Sequence, residues 1–157
     1  MQIFLVRHAN AVDETLDVRD PMRFLTPDGR HQALQLGDRL RWHDCTPTHV
    51  WSSPFVRAVQ TAELLVAGLH SEVAVAVAPA LAPGSTTTPL VAAIRALPAD
   101  SCVVLVSHEP QLSMIGAALL GHRDVVTLGR AEAARIVNGQ LRWRFAWNAD
   151  APTIATL

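Results

Sequence analysis

Ile3, Phe4, Leu5 and Val6 run without a polar interruption and stop abruptly at Arg7-His8. The run is too short for a helix, and its β-branched and aromatic residues favour a strand. A strand that is apolar at every position is buried on both faces, as in a parallel sheet. In open α/β sheets, ligands bind beyond the C-terminal ends of the strands. A buried strand that delivers a guanidinium and an imidazole at that end marks where chemistry is expected.

The remaining signals fit around that strand. Thr26-Pro27 reads as an N-cap with proline at the first helical position. Ala33, Leu36, Gly37 and Leu40 follow at helical spacing, to an end near His43-Asp44. Thr48 to Trp51 reads as a second strand, and Ser53-Pro54 repeats the cap signal ahead of Phe55, Ala58, Val59, Ala62 and Val66. Glu72 to Ala78 alternates like a strand, Pro79 to Thr88 is a loop, and Pro89 to Leu97 reads as a helix. Cys102 to Val106 is a second fully apolar strand ending in polar residues, Ser107-His108-Glu109, before a helix opened by Pro110. From Val125 onward two strands are expected around Asn138-Gly139, a strong hairpin turn signal. Strands alternating with helices predict an α/β fold. We expect one three-layer α/β/α domain over residues 1–157, with a mainly parallel central sheet and a C-terminal antiparallel hairpin.

Composition excludes several classes of function. The 157-residue chain has a net charge of -1, so no bulk field draws it to nucleic acid or a membrane surface. No run approaches transmembrane length, and the N-terminal run is too short for a signal peptide. Two cysteines are too few for a disulfide framework. Cys102 opens an apolar strand and is expected to be a buried thiol. Together these features predict a cytoplasmic protein.

Three strands thus end in chemistry: Arg7-His8, then Arg57 in the first turns of a helix, then His108. In a parallel sheet those ends lie on one side. Two guanidiniums, two imidazoles and helix N-termini suit a tetrahedral oxyanion, because arginine forks match phosphate oxygens and helix starts offer free N–H groups. Each residue alone is better explained as ordinary surface or core; their coincidence at corresponding strand ends is what points to a site. His31, His43, His49, His70 and His122 lack that context and are read as surface residues. No histidine or cysteine pair has metal-ligand spacing, and the arginines would repel a cation, so neither metal nor cofactor is expected. The charged segment Asp13 to Arg23, directly after the corner, is a candidate lid.

At this point the residues resemble a known family. Leu5-Val6-Arg7-His8-Ala9 is similar to the Arg-His-Gly signature of the histidine phosphatase superfamily, which includes the phosphoglycerate mutases. Ser53-Pro54, Arg57-Ala58 and Gln60-Thr61-Ala62-Glu63 resemble its second block. Val106-Ser107-His108-Glu109-Pro110 resembles its third. Leu25-Thr26, Gly29 and Gln32-Ala33 fit a pattern of its small members. The compact length resembles the small phosphohistidine phosphatases of the SixA type, without the insertions that roof the mutase site. The resemblance implies that His8 attacks phosphorus and forms a phosphohistidine intermediate, which water hydrolyses. It implies that Arg7, Arg57 and His108 hold the oxygens and are catalytic with His8. Arg7, Asn10, Arg57 and His108 are then the phosphate-binding set. The nucleophile must be neutral, its other nitrogen bonded to a backbone carbonyl.

Two departures stand out. Ala9 replaces the family glycine, which raises the prospect of a methyl crowding the phosphate; activity is expected to survive so small a change. The loop after the third strand, Ala80-Leu81-Ala82-Pro83-Gly84, lacks the carboxylic acid that larger relatives place there. Glu109 and Glu63 are the candidate proton donors, with helix capping and a plain structural role as their alternatives. Three functions follow: a phosphatase acting on a phosphohistidine-bearing protein, a phosphatase of small esters such as a sugar phosphate, or a catalytically weak phosphate-binding module.

Overall fold

The computed structural model describes residues 1–122 and 127–155. The apolar run is β1 (Gln2–Arg7), buried at all four interior positions. Its side chains alternate between two clusters. Phe4 and Val6 pack with Leu36, Leu40, Ala58, Ala62 and Leu65. Ile3 and Leu5 pack with Leu90, Ile94, Leu112 and Ile115. The first cluster draws on α1 (Pro27–Arg41) and α2 (Val56–Gly68), the second on α3 (Thr88–Arg95) and α4 (Gln111–Leu120). One helix pair therefore covers each face, which is the expected α/β/α layering. Each large side chain so buried contributes about 1.5–3 kcal/mol.

The other strands are β2 (His49–Ser52), β3 (Val75–Val77), β4 (Cys102–Ser107), β5 (Glu132–Val137), β6 (Gln140–Ala146) and β7 (Thr153–Ile154). The sheet order is β3-β2-β4-β1-β5-β6-β7. From β3 to β1 the strands are parallel; from β1 to β7 they are antiparallel. In the parallel half Arg7 pairs with Ser107 and Ser52 with Val106, so the C-terminal ends of β1, β2 and β4 come level. Beyond Arg7, Ser52 and Ser107 the chain is free to build a site.

Local signals explain most element boundaries. Thr26 Oγ1 accepts the Gly29 N–H at 3.0 Å, so α1 starts as its cap predicts. It ends at Arg41, a little before His43. Asn138 and Gly139 have φ of 51° and 73°, the two left-handed residues that a tight hairpin requires. The expected start of that region at Val125 lies outside the described residues, and β7 is an addition. β3 is shorter than the Glu72 to Ala78 run because it is an edge strand, paired only with β2.

One cap needs correction. Ser53 does not start α2, which begins at Val56 with Phe55 in the cap position. The Ser53 N–H still donates to Val106 O at 2.9 Å, so Ser53 belongs to the sheet's end and cannot begin a helix. Cys45 and Cys102 are both buried free thiols. His43 and His49 are half-buried rather than superficial, the His43 ring edge-on to Phe145 with centroids 4.9 Å apart. Among the described residues, no helix is long and apolar enough to cross a membrane.

Candidate active site

The chain leaves β1 as a corner, His8-Ala9-Asn10, and three motif residues fasten its backbone. The Ala9 N–H donates to Thr61 Oγ1 at 3.1 Å, and the Asn10 N–H donates to Gln32 Oε1 at 3.2 Å. The Asn10 carbonyl accepts the Thr26 N–H at 3.0 Å. Gly29 is required here: a Cβ on it would lie 1.9 Å from Asn10 O. The first turn of α1 thus rests directly on the corner, which explains a glycine inside a helix despite its cost of about 1 kcal/mol. Ala9 is fully buried, clustered with Ala11, Leu25, Ala33 and Ala131. Its methyl packs in that cluster and does not line the pocket, so the expected crowding of a phosphate does not arise.

An open pocket of about 290 Å³ lies over the strand ends. Its walls are Arg7, His8, Asp20, Arg23, Arg57, Pro83, His108, Glu109 and Arg130. Four guanidiniums face two carboxylates in a chain whose net charge is -1, so the positive field is local. Among the described residues, no cluster of three or more His, Cys, Asp or Glu could hold a metal ion.

His8 is 6 % exposed, and its Nδ1 donates to the Ala9 carbonyl at 2.8 Å. That bond fixes the tautomer and leaves Nε2 with a lone pair. Arg57, 5 % exposed, donates from Nε to this Nε2 at 3.2 Å. The His108 ring lies with its centroid 5.1 Å from that of His8. His108 is 3 % exposed, and its Nε2 is 2.7 Å from Ser53 Oγ. Ser53 Oγ already accepts the Phe55 N–H at 3.3 Å, so its own proton suits His108 Nε2. His108 Nδ1 and Arg7 Nε are buried without a partner among the described residues.

The other candidates divide. Arg7 reaches across to Leu128 O, donating from Nη1 at 2.8 Å. Asn10 stands behind the pocket wall, its Oδ1 accepting from Arg130 Nη1 at 3.3 Å. Glu109 lines the pocket, but both its oxygens are engaged. Oε2 accepts from the N–H and Oγ of Ser113, and Oε1 accepts the Leu128 N–H at 2.9 Å. That is the capping role. Glu63 is exposed on α2 and is not among the pocket residues. Sequence reasoning missed Asp20, Arg23, Ser53 and Arg130 as site residues. Asp20 and Arg23 carried a signal, since both lie in the candidate lid.

Burial is the main cause that pushes His8 from its ordinary 6.5 down to about 4. The Ala9 hydrogen bond opposes this, and the charges of Arg57, Arg7 and Arg130 reinforce it. Burial, then the neighbouring His8 and Arg57, lowers His108 to about 3. Both imidazoles are therefore neutral at physiological pH. Between pH 6.5 and about 4 the unfolded chain binds protons on these histidines that the folded chain does not. Stability is therefore complete above pH 6.5 and falls as the solution is acidified toward pH 4. Urea midpoints measured across that window should decline for the wild-type protein and decline less for His8→Gln. Matching slopes would mean that His8 is not held neutral.

The description of the histidine phosphatase superfamily, branch 1, matches residues 3–82. No curated protein sequence matches the chain significantly. Among solved structures, the protein histidine phosphatase SixA, complexed with tungstate, is 25% identical with a TM-score of 0.86, covering 94% of this chain and 97% of that one. A protein from Agrobacterium tumefaciens assigned as a phosphohistidine phosphatase SixA has a TM-score of 0.81 at 20% identity, covering 92% and 97%. A mycobacterial glucosyl-3-phosphoglycerate phosphatase has a TM-score of 0.66 at 21% identity, covering 85% and 88%. The last two likenesses speak for the fold alone. A family match over more than half of the sequence, carried by a fold that superposes almost end to end, means that this chain belongs to branch 1 of the histidine phosphatase superfamily and is a phosphatase.

Proposed function

We propose that the protein hydrolyses phosphohistidine on a protein substrate through a covalent intermediate on His8. The observation that carries this reading is the state of the pocket's acids. Glu109 spends both oxygens on Ser113 and Leu128. Asp20 is ion-paired to Arg23 and Arg57. Neither is arranged to give a proton to a leaving alkoxide. An alkoxide needs that proton in the transition state, whereas a phosphoramidate has a weaker bond to phosphorus and an imidazole that solvent has already protonated on its far nitrogen before it leaves. The open pocket, unroofed by insertions, also admits a histidine still attached to a protein.

The chemistry runs from the geometry. His8 Nε2 exchanges its Arg57 hydrogen bond for phosphorus and attacks in line. Arg57, Arg7 and His108 Nδ1 hold the non-bridging oxygens and stabilise the charge of the transition state. Water then hydrolyses the phosphohistidine, and the Ala9 carbonyl keeps the ring in place throughout. The test is a side-by-side measurement of kcat/KM on a phosphohistidine protein, an aryl phosphate and a sugar phosphate at one pH. We expect phosphohistidine to exceed the sugar phosphate by at least about 10²-fold, the low end of what general acid catalysis contributes, with the aryl ester between. Equal efficiency on the sugar phosphate would refute the reading in favour of a small-ester phosphatase. Vanadate binding without turnover of any substrate would leave a binding module.

A further inference from the structure

The lid segment brings in an acid that the mechanism above leaves unused. Asp20 opens a short 3-10 turn, Asp20–Met22, and meets Arg57 with both main chain and side chain. Its carbonyl accepts from Arg57 Nη1 at 2.7 Å, and its Oδ2 accepts from Arg57 Nη2 at 3.4 Å. Its Oδ1 accepts from Arg23 Nη1 at 2.9 Å. The remaining nitrogen of the same guanidinium, Arg57 Nε, points at His8 Nε2. One planar fork thus reaches from the attacking nitrogen to Asp20. A phosphoryl group attacked by His8 would lie in the pocket that Asp20 also lines. In-line displacement puts the leaving group opposite the nucleophile, and Asp20 is a carboxylate of the same pocket whose oxygens face arginines.

We propose that Asp20 selects the leaving group, its carboxylate accepting a hydrogen bond from the substrate imidazolium at the ring nitrogen away from phosphorus. This rests on the phosphohistidine reading above. In the step, the lone pair of His8 Nε2 forms the new bond to phosphorus. The substrate's P–N bond breaks, and its electron pair stays on the substrate nitrogen. The imidazole leaves neutral and keeps the proton already on its far nitrogen, so the enzyme donates none. The ring must be protonated beforehand, and an imidazole titrates near neutrality. A carboxylate facing its far N–H favours the charged form. Toward an ester the same carboxylate acts in the opposite sense, because the departing oxygen gains negative charge beside it. One residue then separates the two substrate classes from both directions.

The charged and titratable groups around Asp20 are Arg57 on α2, Arg23 and Glu14 on its own segment (Glu14 Oε1 accepts the Asp20 N–H at 3.3 Å), and Arg7, His8, His108, Glu109 and Arg130 on the pocket wall. Burial would raise the Asp20 carboxyl, but the hydrogen bonds and charges of Arg23 and Arg57 hold it below its ordinary value. It is therefore an acceptor for an imidazolium and a poor donor to an alkoxide.

The experiment measures kcat/KM against pH for wild type, Asp20→Asn and Asp20→Glu, on phosphohistidine and on p-nitrophenyl phosphate, with vanadate binding as a check that the pocket is intact. Asp20→Asn should lower the phosphohistidine value by about 10- to 100-fold, the worth of one hydrogen bond between charged groups. It should raise the p-nitrophenyl phosphate value and, in kcat followed over the same pH range, move the alkaline limb for phosphohistidine to lower pH, because kcat reports the enzyme–substrate complex. Asp20→Glu should restore most of the loss. A parallel fall on both substrates would make Asp20 a holder of Arg57 and overturn the proposal, as would an unchanged phosphohistidine rate. A wild-type enzyme with no preference for phosphohistidine would remove the functional reading and this inference together, and that result is read from the wild type alone.

Discussion

Turnover by the His8→Ala protein is expected to fall by a factor of about 10⁶, the scale seen when a covalent nucleophile is lost. No other nitrogen takes its place. His108 Nε2 is occupied by Ser53, whereas Arg57 Nε donates to His8 Nε2. The fold should persist. The corner is fastened through the backbone of Ala9 and Asn10, and those bonds do not involve the His8 side chain. Acid quench during turnover should trap an acid-labile phosphoenzyme in the wild type and none in the variant. Label that still accumulates on His8→Ala would move the nucleophile elsewhere.

Arg57→Ala should cost about 10²–10³ in kcat, the loss expected when one oxyanion donor is removed. Arg57 meets both His8 and Asp20 with one guanidinium, so the upper end of that range is the more apt. Arg57→Lys should rescue little. An ammonium cannot reach His8 Nε2 and Asp20 at once, because it lacks the planar fork. Full activity in the presence of chelators is expected alongside, since arginines supply the positive charge in this mechanism. Activity lost to a chelator and restored by a divalent ion would contradict it.

The parts of this protein legible in its sequence are those specified locally. An unbroken apolar run made β1, Thr26-Pro27 started α1, and Asn138-Gly139 turned the hairpin. Arg7, His8, Arg57 and His108 were legible because parallel pairing places strand ends together, a rule that needs no side-chain detail. What was not legible depends on where a side chain points after packing. Ser53 looked like a cap because Ser-Pro opens helices, yet its N–H remains bound to β4 and its hydroxyl faces His108. Asp20 and Arg130 enter from segments without hydrophobic periodicity, so nothing in their spacing predicts that they meet over β1. The direction of the Ala9 methyl was likewise set by the cluster around Ala33 and Leu25.

β1 lies between β4 and β5, with Gln2 opposite Cys102 on one side and Val137 on the other. Each pairing closes a loop of on the order of 100 residues, and such non-local contacts slow folding because the loop entropy is lost before they form. During synthesis β1 is made before β4 and β5 and waits as an exposed apolar segment until they have emerged. Its backbone can be satisfied only when β4 and β5 arrive. The corner that carries His8 is therefore completed late, and a partly folded chain cannot yet offer a phosphoryl group an organised cradle.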